Sequence, residues 1–357
     1  MQFADFAARA AELEAEPGDH ATVAGVRRLL GEAGEDLPTV VRFLQGRVFP
    51  AWEGRTLDVG PALLREAIAR AAGPNVDADD VEEELAERGE IGAVAAAYDF
   101  GGQRGLSAFG GGSMDPLTVA EVDERLREVA TTDGEGSEDR RVEILFGLCN
   151  RASPEEATFL ARLVLGTMRI GVGEGTVRDA VAAAFLAETA DDGDHGDVGI
   201  DQTDVDDRTD PDDAAGGDDR TDPGDAADVD DRTDPDALAT APPDEAVAAV
   251  ERALQVSNDY GRVAVVAREA GRAGLDAMGS EVGRPVPAML AQAGIATDGI
   301  DASGEAVVET KFHGARAHVH PDGNDTHVFS RNMQDVTDPP PAVEASATPD
   351  TEAAPVL

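Results

Sequence analysis

The sequence predicts a mainly α-helical chain followed by the opening strands of an α+β domain, and three observations carry that prediction. Apolar residues recur at three- and four-residue spacing through most of residues 1–187 and again over 244–278. An aspartate tract without that period separates the two stretches. Beyond residue 300 the apolar period shortens to two, the period of a strand.

The helical stretches follow in order. "FADFAARAAELEA" opens the chain as an acidic amphipathic helix, which is neither a signal peptide nor a basic anchor. "VAGVRRLLGEA", "LPTVVRFLQGRV", "GPALLREAIARAAG", "LTVAEVDERLREVA", "EDRRVEILFGLCNRA" and "PEEATFLARLVLG" come next, divided by short Gly, Pro, Ser or Asp breaks. In "SPEEA", Ser153 stands as an N-cap before Pro154, with Glu156 three residues on. Cys149 follows "RRVEILFGL" on an apolar stripe and reads as a core residue, not a nucleophile. A single cysteine excludes an internal disulfide framework and suits a reducing cytosol. No apolar run approaches the length of a membrane span. The expectation is a soluble, cytoplasmic monomer with no membrane association.

From Asp191 to Thr240 there are 20 aspartates, no glutamate and three arginines, a local charge of −17. "DDRTDP" recurs there, with Arg208, Arg220 and Arg232 twelve residues apart. Each copy has almost nothing apolar to bury and no framing helix or strand for a calcium loop, so residues 188–242 read as a disordered, solvating insertion. Without the tract, the other 307 residues still carry −27 of the chain's −44. Arginine supplies 28 of the 29 basic residues. Acidity of that extent, with arginine in place of lysine, fits a cytoplasm of molar salt, where the Debye length is about 3 Å and surface carboxylates barely repel.

Helices resume at "DEAVAAVERALQVSNDYGRVAVVAREAGRAGLDAM", and the proline-containing connector "GRPVPAMLAQAG" follows. "AVVETKF", "ARAHVH" and "THVFSR" then alternate as strands, with "PDGND" as the hairpin turn. "AVVETKF" holds the only lysine, Lys311. A nucleophilic amine must lose its proton, which a guanidinium does not do, so chemistry can require lysine where arginine serves elsewhere. On a strand, Glu309 and Lys311 share a face, and Arg316 and Arg331 are near enough to lower the amine's pKa or clamp phosphates.

"TKFHGAR" resembles the Lys-x-Asp-Gly-x-Arg adenylation motif of ATP-dependent DNA ligases and their nucleotidyltransferase relatives. "GEGSEDRRVEILFGL", "SPEEATFLARLVLGTMRIGVGEGTVRDAVAAAF" and "VGRPVPAMLAQ" resemble, in order and spacing, the helical DNA-binding domain and connector of the archaeal and eukaryotic replicative ligases. The resemblance implies a helical DNA-binding domain over 1–278, interrupted at 188–242, then a connector and incomplete adenylation domain over 279–357. It implies that Lys311 attacks the α-phosphate of ATP, forming lysyl-AMP and releasing pyrophosphate. Glu309 would hold the adenine amino group; Arg316 and Arg331 would hold ribose and phosphate. AMP then passes to the 5′-phosphate of a nick in duplex DNA, and the 3′-hydroxyl displaces it, in replication, repair and recombination. Magnesium would neutralise the phosphates, with no metal ligand assigned within this chain.

Two departures from the family pattern stand out. His313 replaces the motif aspartate, which removes a fixed anion beside the nucleophile. The sequence also stops at "EAAPVL", where the family continues into Asp-Gly-Glu, later lysine motifs and an oligonucleotide-binding barrel, so the reading is of a truncated ligase. The alternative is a non-catalytic DNA-binding scaffold derived from a ligase; an RNA ligase or capping guanylyltransferase would lack the helical domain.

Weaker signals complete the reading. "GVGEG" has the wrong glycine spacing for a dinucleotide loop and reads as a turn between helices. Gly171 and Gly173, flanked by Arg169 and Arg178, could meet a DNA phosphate at the next helix N-terminus. "QRGLSAF" offers Gln103, Leu106 and Phe109 at the spacing of a sliding-clamp peptide. His313, His318, His320 and His327 cluster, but no cysteine or close carboxylate completes a zinc tetrahedron, so they read as strand surface.

Overall fold

The computed structural model describes residues 1–98, 100, 115–186, 241–287, 316–322 and 325–337. Lys311, Glu309, His313, the clamp-like residues Gln103, Leu106 and Phe109, the aspartate tract, and the strand expected in "AVVETKF" lie outside the described residues.

Twelve α-helices stand among the described residues: α1 (Phe3–Ala15), α2 (Asp19–Glu32), α3 (Leu37–Leu44), α4 (Pro61–Ala72), α5 (Ala78–Arg88), α6 (Ile91–Ala97), α7 (Val119–Thr131), α8 (Ser137–Cys149), α9 (Pro154–Val164), α10 (Glu174–Phe185), α11 (Asp244–Ser257) and α12 (Tyr260–Asp276). Each amphipathic stretch read from the sequence forms one of them. α9 starts with the anticipated Ser153 N-cap, which the structure completes as a capping box: the Ser153 hydroxyl accepts from the Glu156 amide, and the Glu156 carboxylate accepts from the Ser153 amide. Cys149 is buried in α8, and burial pushes its thiol up to about 12, which leaves it inert at neutral pH. α5 had no strong apolar stripe to announce it. It buries only Val81 and is started by a second capping box, in which Asp77 and Asp80 play the paired roles.

The core gathers around α1, α3 and α9. Phe3 and Phe6 stack with centroids 5.7 Å apart, and both meet Phe43 of α3 edge-on at 6.5 and 5.8 Å. All three rings are fully buried, each contributing about 1.5–3 kcal/mol by area. Around them α1 packs on α9 and α2, α9 on α6, α10 on α2, α12 on α3 and α11, and α4 on α8. Seven of the eight residues of α3 and eight of the eleven of α9 are buried. These two enclosed helices fix whatever emerges from their C-termini.

The expected hairpin is present as β1 (Ala317–Asp322) and β2 (Asp325–Ser330), antiparallel, with Ala317 opposite Ser330 and His320 opposite His327. His318, His320, His327 and Phe329 share one face; Val319 and Val328 share the other. After β2 the chain doubles back, and the Val336 amide donates to the Val328 carbonyl at 2.8 Å. Hairpin and helices belong to one compact unit. Asn258 Nδ2 donates to Met333 Sδ at 2.8 Å, and the Gly283 amide donates to His320 Nδ1 at 3.1 Å. Gly54 has φ +60°, and a Cβ there would lie 3.1 Å from the Met333 carbonyl oxygen, so only glycine fits the approach. The guanidinium of Arg284 covers the Trp52 ring at 4.8 Å, and the indole N–H donates to Asp259 at 3.3 Å.

Candidate nucleic-acid interface

Helices α3 and α9 end in the same way. "VVRFLQGRV" (40–48) and "LARLVLGTM" (160–168) each place an arginine four residues before a glycine. Gly46 and Gly166 take left-handed φ values of +68° and +65°, which lets the chain turn sharply and satisfy carbonyls the helix end leaves open. In the first turn the Gly46 amide donates to Phe43 O, and the Arg47 amide to Arg42 O, both at 2.9 Å. In the second, the Gly166 amide donates to Leu163 O at 3.1 Å and the Thr167 amide to Arg162 O at 2.8 Å. The turns stand back to back: a Cβ on Gly46 would lie 3.4 Å from the Gly166 carbonyl carbon.

Each turn is tied from behind by its arginine. Arg42 donates through Nε to Val48 O at 2.8 Å, and through Nη2 to Thr39 Oγ1 at 2.9 Å and Asp123 Oδ1 at 3.3 Å. Arg127 reinforces the site, donating to Val48 O at 2.9 Å and Asp123 Oδ2 at 2.8 Å. Arg162 grips Glu14 with two hydrogen bonds of 2.7 and 2.8 Å, reaches Glu90 at 3.2 Å, and donates to Met168 O at 3.5 Å. Both arginines are more than nine-tenths buried. Their electrostatics differ. Burial lowers the pKa of Arg42, whereas the Glu14 hydrogen bond raises that of Arg162. Burial works to raise the Glu90 carboxyl, but Arg162 and the Gly92 and Ala93 amides outweigh it and hold it below the usual carboxylate range.

The outer side of the paired turns is open and cationic. Arg47 and Arg169 are exposed. Arg47 lies 3.7 Å from Glu174, while Arg169 makes no ion pair or hydrogen bond with a described residue. Arg169 also holds a left-handed φ of +54°, uncommon for a side-chain-bearing residue and worth about 1 kcal/mol or more in strain. Beyond it, Gly171 has φ +70°, and Gly173 N-caps α10. A Cβ on Gly171, Gly173 or Gly175 would meet nothing within 4 Å, so the chain is open to approach at this helix start, where the Gly173 amide itself donates to Thr176 Oγ1 at 3.4 Å. "GVGEG" is thus a turn between helices, as expected. Arg178 is half-buried and engaged with Asp179 at 2.8 Å and Glu251 at 3.9 Å. Beside them burial, with Glu174 adding, pushes the Tyr260 hydroxyl up to about 12, so it stays a neutral group.

Two grooves flank the contact. One, of about 700 Å³, runs along Arg47, Phe49, Arg55 and Leu163; the other, of about 450 Å³, runs along Met168, Arg169, Gly171 and Gly173. They share Gln45 and Gly166. Arg55 and Arg127 cover the Phe49 ring at 4.4 and 4.9 Å.

Of the residues read from the sequence, Arg169, Gly171 and Gly173 therefore fall on one open surface. Arg316 and Arg331 fall on another, Arg316 just before β1 and Arg331 just after β2, at the hairpin's open end. Both are exposed, and neither makes an ion pair with a described residue. His320 stands opposite His327, with Nδ1 taken by the Gly283 amide. Among the described residues no group of three or more His, Cys, Asp or Glu could hold a metal ion. Arg42, Gly46, Arg47 and Arg162 were not singled out in the sequence; Arg-x-x-x-Gly marks them, but it also occurs at Arg27–Gly31 in the last turn of α2, where the glycine is not left-handed, so only the structure separates the pair.

Residues 2–182 match the family profile described as the DNA ligase N terminus. A DNA ligase of Haloferax volcanii is 59% identical over 344 residues, covering 96% of this chain and 54% of that protein. A DNA ligase of Halorubrum lacusprofundi is 55% identical over 363 residues, covering 96% and 55%. A DNA ligase of Archaeoglobus fulgidus is 34% identical over 346 residues, covering 96% and 51%. The chain spans about half the length of these curated relatives.

Proposed function

The chain belongs to the DNA ligase family, and on that premise we propose that its paired turns grip a nicked DNA duplex while the segment around Lys311 serves adenylyl transfer from ATP. One observation carries the reading. Two glycine turns are fixed back to back, and the groove carrying Arg47 meets the groove carrying Arg169, Gly171 and Gly173 at Gln45 and Gly166. Phosphate oxygens need such donors: guanidinium groups and the unsatisfied amides of a helix N-terminus, whose dipole favours an anion. In molar salt, long-range attraction is screened. Binding by a chain of net charge −44 then rests on these short-range contacts, and its dependence on overall charge is weak.

On this reading the 1–278 region, with its 188–242 insertion, is the DNA-binding part, and 279–357 begins the nucleotide-binding part. The exposed guanidinium groups of Arg316 and Arg331 suit a nucleotide's phosphates and ribose, and Glu309 its adenine. Lys311, as the only ammonium side chain, is the nucleophile to which ATP supplies the adenylyl group. Magnesium belongs to phosphoryl transfer in general, but no described cluster offers it a seat. Segment 103–109 is the candidate contact to a sliding clamp.

The test is fluorescence anisotropy of a nicked duplex with the 357-residue chain and its Arg47→Glu, Arg169→Glu double variant at one high salt concentration. Affinity should fall at least about tenfold, equivalent to roughly 1.4 kcal/mol. An unchanged affinity in a folded double variant would remove the turns from the interface.

A further inference from the structure

We propose that Arg42 and Arg162 are matched positioning residues for DNA binding: buried guanidinium groups that hold the two phosphate-facing turns in register without touching DNA. The inference rests on the DNA-binding reading of the turns and goes beyond it. Its first support is equivalence. Both arginines stand four residues before the left-handed glycine. Both use their carbonyl oxygen to accept the amide that follows that glycine. Both then reach with the side chain to the carbonyl six residues on, Val48 O for Arg42 and Met168 O for Arg162. One residue thus secures the turn at two backbone points.

The second support is where those points fall. Arg47 lies between them in the first turn, with its own amide on Arg42 O and the next carbonyl on Arg42 Nε. In the second turn the secured Met168 carbonyl immediately precedes the strained Arg169. The third is cost. A buried charge contributes less to stability than a well-packed apolar residue of similar volume would in many cases. A position asking only for packing has no need of a guanidinium. A position asking for a planar group with donors in several directions does. Because Gly46 packs against Gly166, loss of either support loosens both turns.

Lysine keeps the charge but cannot replace the fork. The experiment measures nicked-duplex affinity against salt for the full chain, for Arg42→Lys and Arg162→Lys, and for Arg47→Ala and Arg169→Ala, with folding checked by circular dichroism. Each contact variant should weaken binding and lower the slope of log affinity against log salt by about 0.9, the counterions of one phosphate. Each lysine variant should bind about tenfold more weakly with the slope unchanged, because Arg47 and Arg169 still reach their phosphates once the loosened turn orders on DNA. Folded lysine variants with wild-type affinity overturn the proposal. A slope reduced as in Arg47→Ala also overturns it, since the guanidinium would then be a contact itself. Should the lysine variants fail to fold, Glu14→Gln and Thr39→Val decide: each leaves its arginine in place but removes one tether. A few-fold loss at constant slope supports positioning, and no loss in either overturns it. If Arg47→Ala and Arg169→Ala both bind as wild type, the interface reading fails, whatever the lysine variants do.

Discussion

The Gly46 and Gly166 turns share one backbone solution and reach it with opposite electrostatics. Arg42 is held mostly by neutral oxygens, those of Val48 and Thr39, and shares Asp123 with Arg127. Arg162 is held by two carboxylates, Glu14 and Glu90, and Glu90 is mostly buried. The turn geometry therefore requires the fork of hydrogen bonds and tolerates different balances of charge behind it. It also makes the second turn the more exposed to loss of a single partner.

The largest expected effect separates the two. Arg162→Met strands Glu90 without its cation, and breaking a buried pair from one side should cost about 3 kcal/mol. Arg42→Met leaves Asp123 and Val48 O with Arg127, so the cost should be nearer one hydrogen bond, about 1 kcal/mol. Denaturant unfolding at molar salt reads both. Equal losses, or a larger one for Arg42→Met, would mean that the carboxylates of the second turn contribute little.

A smaller effect should follow pH. The folded-state pKa of Glu90 lies below its ordinary value, so the stability this group contributes is present above the unfolded pKa, about 4.3. It is lost as pH falls through the lower folded value. The stability gap between wild type and Glu90→Gln should accordingly be full near neutrality and shrink below about pH 4. A gap that stays constant down to pH 3 would contradict the assigned partnership with Arg162.

The sequence made much of this legible where the signal was local. Amphipathic spacing announced most of the helices, Ser153 before Pro154 marked the start of α9, and alternation with a polar turn marked the hairpin. α5 escaped because its single buried residue, Val81, leaves no stripe to read. Gly171 and Gly173 stood out through their density, whereas Gly46 is alone in "LQGRV" and gains meaning only beside Gly166. That partnership spans 120 residues, and the seating of Met333 against Gly54 spans still more of the chain. Periodicity reports on neighbours three or four residues away and is silent on contacts of that range. Conversely, the unusual status of Lys311 was plain in the composition alone, since no fold is needed to see one lysine among 28 arginines.

If the two turns work as one grip, both meet the same duplex together. Hydrogen–deuterium exchange of the 357-residue chain, with and without a nicked duplex at molar salt, reads both turns at once. Peptides spanning 45–60 and 165–175 should gain protection in parallel as DNA is added, with the same midpoint. Protection confined to one turn, or appearing elsewhere while both turns exchange as in the free protein, would contradict the claim.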